Sequence, residues 1–256
     1  MKHLILFLFI GLSLSSLAQQ NELFRTVYYP AEPYGGPKEL DRFIKQELVY
    51  PAAAKEKGEE GEVFVSFKVN SNGEVIFKQV AGEASKELQD EAERIFDRIV
   101  WEKDHTRSDP DLGFEKLKIK FALKKYARLV KKRGYDVLPM EENLEEISAK
   151  LYTINTADSK PVFEQDLNQL LKENFRYPNI AIQQNISGRV VLEFVIEPYG
   201  RASNIRVKDA VGGGCNEETA RLVRMMRWKP AVVDGKPVRC LFEYQLSFVN
   251  PGGSIH

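Results

Sequence analysis

Apolar positions along the chain change period at regular intervals, and the same succession of periods occurs twice. Leu40, Phe43, Ile44 and Leu48 follow the i, i+3, i+4, i+8 spacing of one helix face, and Leu167, Leu170, Leu171 and Phe175 repeat it. Pro51 and Pro178 then stop these helices. Val63, Val65, Phe67 and Val69 alternate, as do Val190, Leu192, Phe194 and Ile196, which predicts half-buried strands. Asn72-Gly73 closes the first strand into a hairpin, and Tyr199-Gly200 occupies the equivalent turn. Ala92, Ile95, Phe96 and Ile99 predict a second amphipathic helix. Thr219, Leu222, Val223 and Met226 match it, with Asn216 read as the N-cap ahead of Glu217 and Glu218. Leu117, Ile119 and Phe121 alternate again, and so do Tyr244, Leu246 and Phe248.

A single offset of 127 positions, without a gap, superposes the two halves: Tyr50-Pro51 on Tyr177-Pro178, Gly61 on Gly188, Gly73 on Gly200 and Trp101 on Trp228. Upstream, Phe24 to Val27 faces Leu151 to Ile154 as a short leading strand in each copy. The reading is a duplicated module. The fold class is α+β: two tandem small antiparallel-sheet modules with packed helices. The first module spans residues 19–123 and the second 150–250, with a tail at 251–256. The segment 124–149 between them is basic from Lys124 to Arg133 and acidic from Asp136 to Glu146, the pattern of a solvated linker.

Composition adds the compartment and removes several function classes. Lys2 and His3, an apolar run from Leu4 to Leu17 and the small residues Ser16 and Ala18 form a secretory signal pattern over residues 1–18. The run is shorter than the roughly 20 residues of a membrane span. The expectation is therefore export to the periplasm with Gln19 as the mature N-terminus. Lys+Arg and Asp+Glu are both 37, so no overall field draws nucleic acid. With 3 His and 2 Cys in the whole chain, no metal site is expected. No convergent catalytic groups stand out, so neither an enzyme, a cofactor nor a small-molecule substrate is expected. Cys215 and Cys240 both lie in the second copy; a disulfide and two small buried thiols are both compatible with their positions.

Several motifs carry a family resemblance. Pro33-Tyr34-Gly35-Gly36 leads into Leu40, Phe43-Ile44 and Tyr50-Pro51 in the first copy. Gly212-Gly213-Gly214-Cys215-Asn216-Glu217-Glu218, Trp228-Lys229-Pro230 and Asp234 to Val238 stand in the second. Each copy resembles the C-terminal domain of TonB, the protein that couples inner-membrane energy to outer-membrane transporters. The first copy keeps Trp101 but lacks the Lys-Pro that follows the tryptophan in the second. The chain also departs from a TonB transducer in showing a cleavable signal, no Pro-rich spacer and two such domains. The resemblance thus implies the binding half of the family's function more than the force-transmitting half.

An edge strand offers unpaired backbone groups to an extended peptide. The resemblance points to the last strand of each module and to the residues just before Tyr-Pro as the contact with a transporter's N-terminal segment. In the second copy these are Glu243, Tyr244, Gln245, Leu246, Ser247 and Phe248 with Asn174, Phe175, Arg176 and Tyr177. In the first they include Lys116, Lys118 and Lys120 with Glu47 and Tyr50. The partner expected is an outer-membrane transport protein or another envelope protein, engaged by strand addition. Alternative readings are an energy-transducing variant working with an inner-membrane motor, and a structural envelope or cell-wall protein that associates with itself.

Overall fold

The helix predicted from Leu40 to Leu48 is α1 (Gly36–Glu47), and Pro51 caps a short second helix, α2 (Ala52–Glu56), instead of simply ending the first. β1 (Gly61–Val69), β2 (Val75–Ala81), α3 (Lys86–Phe96) and β3 (Glu115–Phe121) complete the first module. These elements belong to a computed structural model that describes residues 30–103, 114–139 and 148–250. The expected signal segment, the leading strand at Phe24–Val27, residues 140–147 of the acidic part of the linker and the C-terminal tail lie outside the described residues. The three strands order as β2-β1-β3, all antiparallel, and α1 and α3 cover the face carrying Val63, Val65, Phe67 and Val69.

The basic half of the charged segment after β3, expected as solvated linker, folds onto the first module. It opens with α4 (Leu123–Arg133), which docks on the first module through Tyr126, while Leu138 is buried further on. Tyr126, Leu129 and Val130 make an apolar stripe at helical spacing inside a lysine-rich run; the lysines take the exposed side. Arg133 fixes the helix end by donating to the carbonyls of Lys45 at 2.9 Å and Asp136 at 3.0 Å.

The second module repeats the plan with additions. It contains β4 (Leu151–Thr153), β5 (Val162–Phe163), α5 (Leu167–Asn174), α6 (Asn179–Gln183), β6 (Gly188–Ile196), β7 (Ala202–Asp209), α7 (Cys215–Met225), β8 (Trp228–Lys229), β9 (Ala231–Val233) and β10 (Lys236–Phe248). Its main sheet runs β4-β10-β6-β7, with β9 also paired to β10. The N-cap of α7 is Gly214, not Asn216; the Asn216 carboxamide instead accepts from Val211 N at 3.0 Å and ties back the glycine loop. Gly73 and Gly200 match because the β-turn in each copy presses on the tryptophan carbonyl. A Cβ would lie 2.6 Å from Trp101 O in one and 2.3 Å from Trp228 O in the other, at φ +80° and +74°.

The modules are stacked, and this changes the expectation for β6. Its alternation predicts one buried face, but Val195 and Glu197 on the other face are 0% exposed, whereas Phe64 on the same face of β1 is 38% exposed. The first module lies on that face. Gln46 donates to the Tyr199 hydroxyl at 3.0 Å and to Ala202 O at 3.2 Å, and Val100 N donates to the Asn204 carboxamide at 2.9 Å. Arg206 pairs with Glu102 at 2.5 Å and stacks on Tyr34 with its guanidinium 4.3 Å from the ring centroid. Gly35 sits against the β7 backbone, where a Cβ would meet Ile205 O at 2.1 Å. At the centre Arg98 bridges Glu47 at 3.0 Å and Glu197 at 2.5 Å, and Arg239 reaches Glu197 at 3.1 Å.

Candidate peptide-binding site

In both copies a carboxylate and an arginine one helical turn apart build the segment before Tyr-Pro. Glu218 accepts from Arg176 N at 2.8 Å and from Arg221 at 2.8 Å, and Arg221 also holds the carbonyl of Asn174. Glu91 accepts from Val49 N at 2.7 Å and from Arg94 at 2.7 Å, and Arg94 donates to the carbonyl of Glu47 at 2.7 Å. The Tyr177 hydroxyl then donates to Ile186 O at 2.6 Å, and that of Tyr50 to Glu59 O. Sequence reasoning missed this clamp, although Glu-x-x-Arg at 91–94 and 218–221 recurs at the repeat offset.

The clamp brings together the two predicted parts of the site. Phe175 and Tyr177 pack against Phe248 at the end of β10, with ring centroids 5.4 and 5.6 Å apart. Tyr50 meets Phe121 at the end of β3 at 5.9 Å. Along β10, Tyr244 and Leu246 turn towards the core while Glu243, Gln245 and Ser247 face out, and Glu243 pairs with Lys208. One side of β10 is taken by β6 from Cys240 to Phe248. On the other, β4 covers Arg239–Leu241 in parallel, and β9 pairs with Lys236–Val238. Among the described residues no strand pairs with that side from Phe242 to Phe248.

The first copy differs at each equivalent point. β3 pairs only with β1 among the described residues, but its outward residues are Lys116, Lys118 and Lys120, with Glu62 taking Lys118 at 3.4 Å and Lys120 at 2.9 Å. Its aromatic corner is closed by α4: the Tyr126 ring lies 5.3 Å from that of Tyr50, and Arg133 donates to the carbonyls of Lys45 and Gln46. Glu47 is buried in the inter-module network, where it accepts from the Tyr199 hydroxyl, and Tyr50 is core. Neither presents a side chain to an incoming peptide, which corrects their expected place in the site. In the second copy Arg176 is exposed and Asn174 is half-buried.

The two cysteines are both buried and both free, so the disulfide reading is not realised. Cys215 begins α7 in the second core and Cys240 lies in β10. Burial pushes the Cys240 thiol up to about 11.

The architecture is that of a tandem of small α+β modules, in each of which the last strand has an edge unpaired among the described residues. The model of the family described as Gram-negative bacterial TonB protein C-terminal matches residues 46–123 and again 173–249, and the chain belongs to that family. No curated protein matches it. Among solved structures, the solution structure of the TonB C-terminal domain of Helicobacter pylori is similar at 27% identity. That match covers 34% of this chain and 92% of that one, with a TM-score of 0.26.

Proposed function

We propose that this TonB-type envelope protein captures extended segments of outer-membrane transport proteins in the periplasm, and that its second module does the capturing. The β10 edge from Phe242 to Phe248 would receive the peptide backbone, and the Asn174–Tyr177 segment would meet its side chains. The observation that carries this reading is the asymmetry between the copies. Beside β10 no strand pairs with the edge from Phe242 to Phe248 among the described residues, whereas three lysines line the corresponding edge of β3 and α4 packs on its aromatic corner. Lysines on an edge discourage pairing with another chain, because an incoming apolar strand would desolvate them. The resemblance to TonB supports the partner class. Delivery to the periplasm rests on the signal pattern; an intact mass that retains residues 1–18 in exported protein would remove it.

The test transfers the first copy's guard to the second. Gln245→Lys with Ser247→Lys, both on exposed positions, is made in the full chain and titrated calorimetrically with N-terminal peptides of outer-membrane transporters. Neutral peptides should bind roughly tenfold more weakly than to the parent chain, and acidic peptides should be spared. Hydrogen exchange should slow at residues 243–248 when peptide binds. Equal affinities, or protection appearing at β3 instead, would overturn the assignment.

A further inference from the structure

The sheet face of the second module that would otherwise meet water is an interface, filled by the first module. The same face of the first module is open. Phe64, Phe77 and Phe114 are 38%, 37% and 57% exposed on it. The Phe77 and Phe114 rings meet edge to face with centroids 4.8 Å apart, and the Lys68 ammonium lies 4.6 Å from the centroid of the Phe114 ring. Lys116 and Lys118 flank this patch from β3. An apolar cluster of this kind on a sheet face marks an interaction surface.

The repeat also identifies a surface that could cover it. The first module docks on the second through Glu39, Gln46, Glu47 and Arg98. At the repeat offset the second module has Asp166, Glu173, Asn174 and Met225. These four, with Gln169 and Leu170, line a groove of about 300 Å³ on the outside of the second module. The exchanges are matched on the receiving face. Glu197 and Val195 of β6 become Asn70 and Lys68 of β1. The ions Glu47, Arg98 and Glu197 thus all become neutral together, as Asn174, Met225 and Asn70. Asp166 keeps the charge of Glu39, and Glu173 adds an acid where Gln46 stood, on a surface that would approach a patch carrying Lys68. Two exchanges oppose the docking: Arg224, which holds Glu39 in the inter-module contact, becomes Asp97 opposite Asp166, and Gly35, whose missing Cβ lets it lie against the β7 backbone, becomes Val162. Lys78 already pairs with Asp97 at 2.6 Å and tempers that repulsion.

We propose that a second copy of this chain docks on the open face of the first module. It would use the acidic groove around Met225, bringing together the two faces that correspond to those joining the modules within one chain. Such an interface is head-to-tail: the two surfaces differ, so each added chain leaves one of each free and the assembly does not close as a dimer.

Sedimentation of the full chain from low micromolar to submillimolar concentration tests this. The average mass should rise past that of a dimer, and salt should suppress the rise because lysines meet carboxylates. Two variants should each stay monomeric: Lys68→Glu with Phe77→Ser, which spoils the face, and Asp166→Asn with Glu173→Lys, which spoils the groove while Asn keeps the cap of α5. Mixed together they should form a one-to-one dimer and nothing larger, because each retains one intact surface. Circular dichroism of each variant alone should match the parent. A parent chain that is monomeric throughout overturns the proposal and leaves the face to an acidic partner of another kind. A parent dimer that grows no further, or a mixture that stays monomeric, overturns it as well.

Discussion

The guanidinium of Arg98, on the first module, lies 2.5 Å from the carboxylate of Glu197, on the second, and both side chains are almost wholly shielded from water. Arg98 also meets Glu47 at 3.0 Å, and Glu197 is held from its far side by Arg239. Removing Arg98 alone leaves two buried carboxylates sharing too little positive charge. Breaking a buried pair from one side costs about 3–5 kcal/mol. Arg98→Met should therefore lower the unfolding free energy in urea by that order. The second copy suggests the remedy, since it has Met225 and Asn174 at these positions. Arg98→Met with Glu47→Asn leaves Glu197 with Arg239 and Glu91 with Arg94, and should recover most of the loss. A single variant within about 1 kcal/mol of the parent would show that the pair is solvated in solution.

The same network fixes the acid limit of the fold. Burial pushes the Glu197 carboxyl up, but Arg239 and Arg98 with the Ser203 hydroxyl outweigh it and bring it down to about 2. In the unfolded chain it titrates near 4.3. A carboxylate with a depressed folded value stabilises fully above the unfolded value and loses that contribution as pH falls through the folded one. Thermal stability should decline between about pH 5 and pH 2. Glu197→Gln, which leaves Arg98 and Arg239 short of a counter-charge, should be less stable than the parent at neutral pH. Its deficit should shrink as pH approaches about 2, where the parent is also protonated. A deficit that stays constant across this range would contradict the ionised network.

How far the fold was legible depends on which forces leave a periodic trace. The helix–strand succession was readable because Val63 to Val69 and Val190 to Ile196 obey single-element periods, and Gly73 and Gly200 repeat for a steric reason local to each turn. The stacking of the modules left no such trace. Glu193 and Glu197 interrupt the second apolar face of β6, and buried charges read as solvent-facing until their partners on another element are known. α4 was hidden similarly, since its lysines outnumber the stripe of Tyr126, Leu129 and Val130. Of the site, the edge residues of β10 were readable from alternation and family resemblance. Removal of Glu47 and Tyr50 from the accessible surface depends on contacts made many residues away.

The thiols give a simple check of the cores. Cys215 and Cys240 are unpaired and buried, and burial raises both thiols. The thiolate is the reactive form, so native protein should react negligibly with a thiol reagent at neutral pH. Unfolding in denaturant without reductant should expose both at once. Protein purified from an oxidising compartment that yields no thiol on unfolding would carry the bridge that the structure lacks.

The repeated clamp predicts unequal consequences for equivalent substitutions. In the second module, Glu218→Ala removes the only carboxylate that Arg221 pairs with among the described residues and leaves Arg176 N without its acceptor. Position 174 is an asparagine whose carbonyl, not a carboxylate, remains for Arg221. In the first module, Glu91→Ala leaves Arg94 within 3.4 Å of the Glu47 carboxylate. Burial also pushes the Glu91 carboxyl up, against the pull of Arg94, so part of what that carboxylate contributes is already offset by its desolvation. Arg94 is the more buried of the two arginines, which works in the opposite direction; a retained carboxylate outweighs it, since an unpaired charge is what makes such losses large. Glu218→Ala should cost roughly 2–3 kcal/mol and Glu91→Ala roughly 1 kcal/mol less. Because the Glu218 clamp also seats the Asn174–Tyr177 segment beside Phe248, Glu218→Ala should weaken peptide capture at concentrations of denaturant too low to unfold the chain. Glu91→Ala should leave capture unchanged. Urea unfolding of both variants, with peptide titrations on each, separates the two effects; an equal loss of peptide affinity in both would remove the second module from its assigned role.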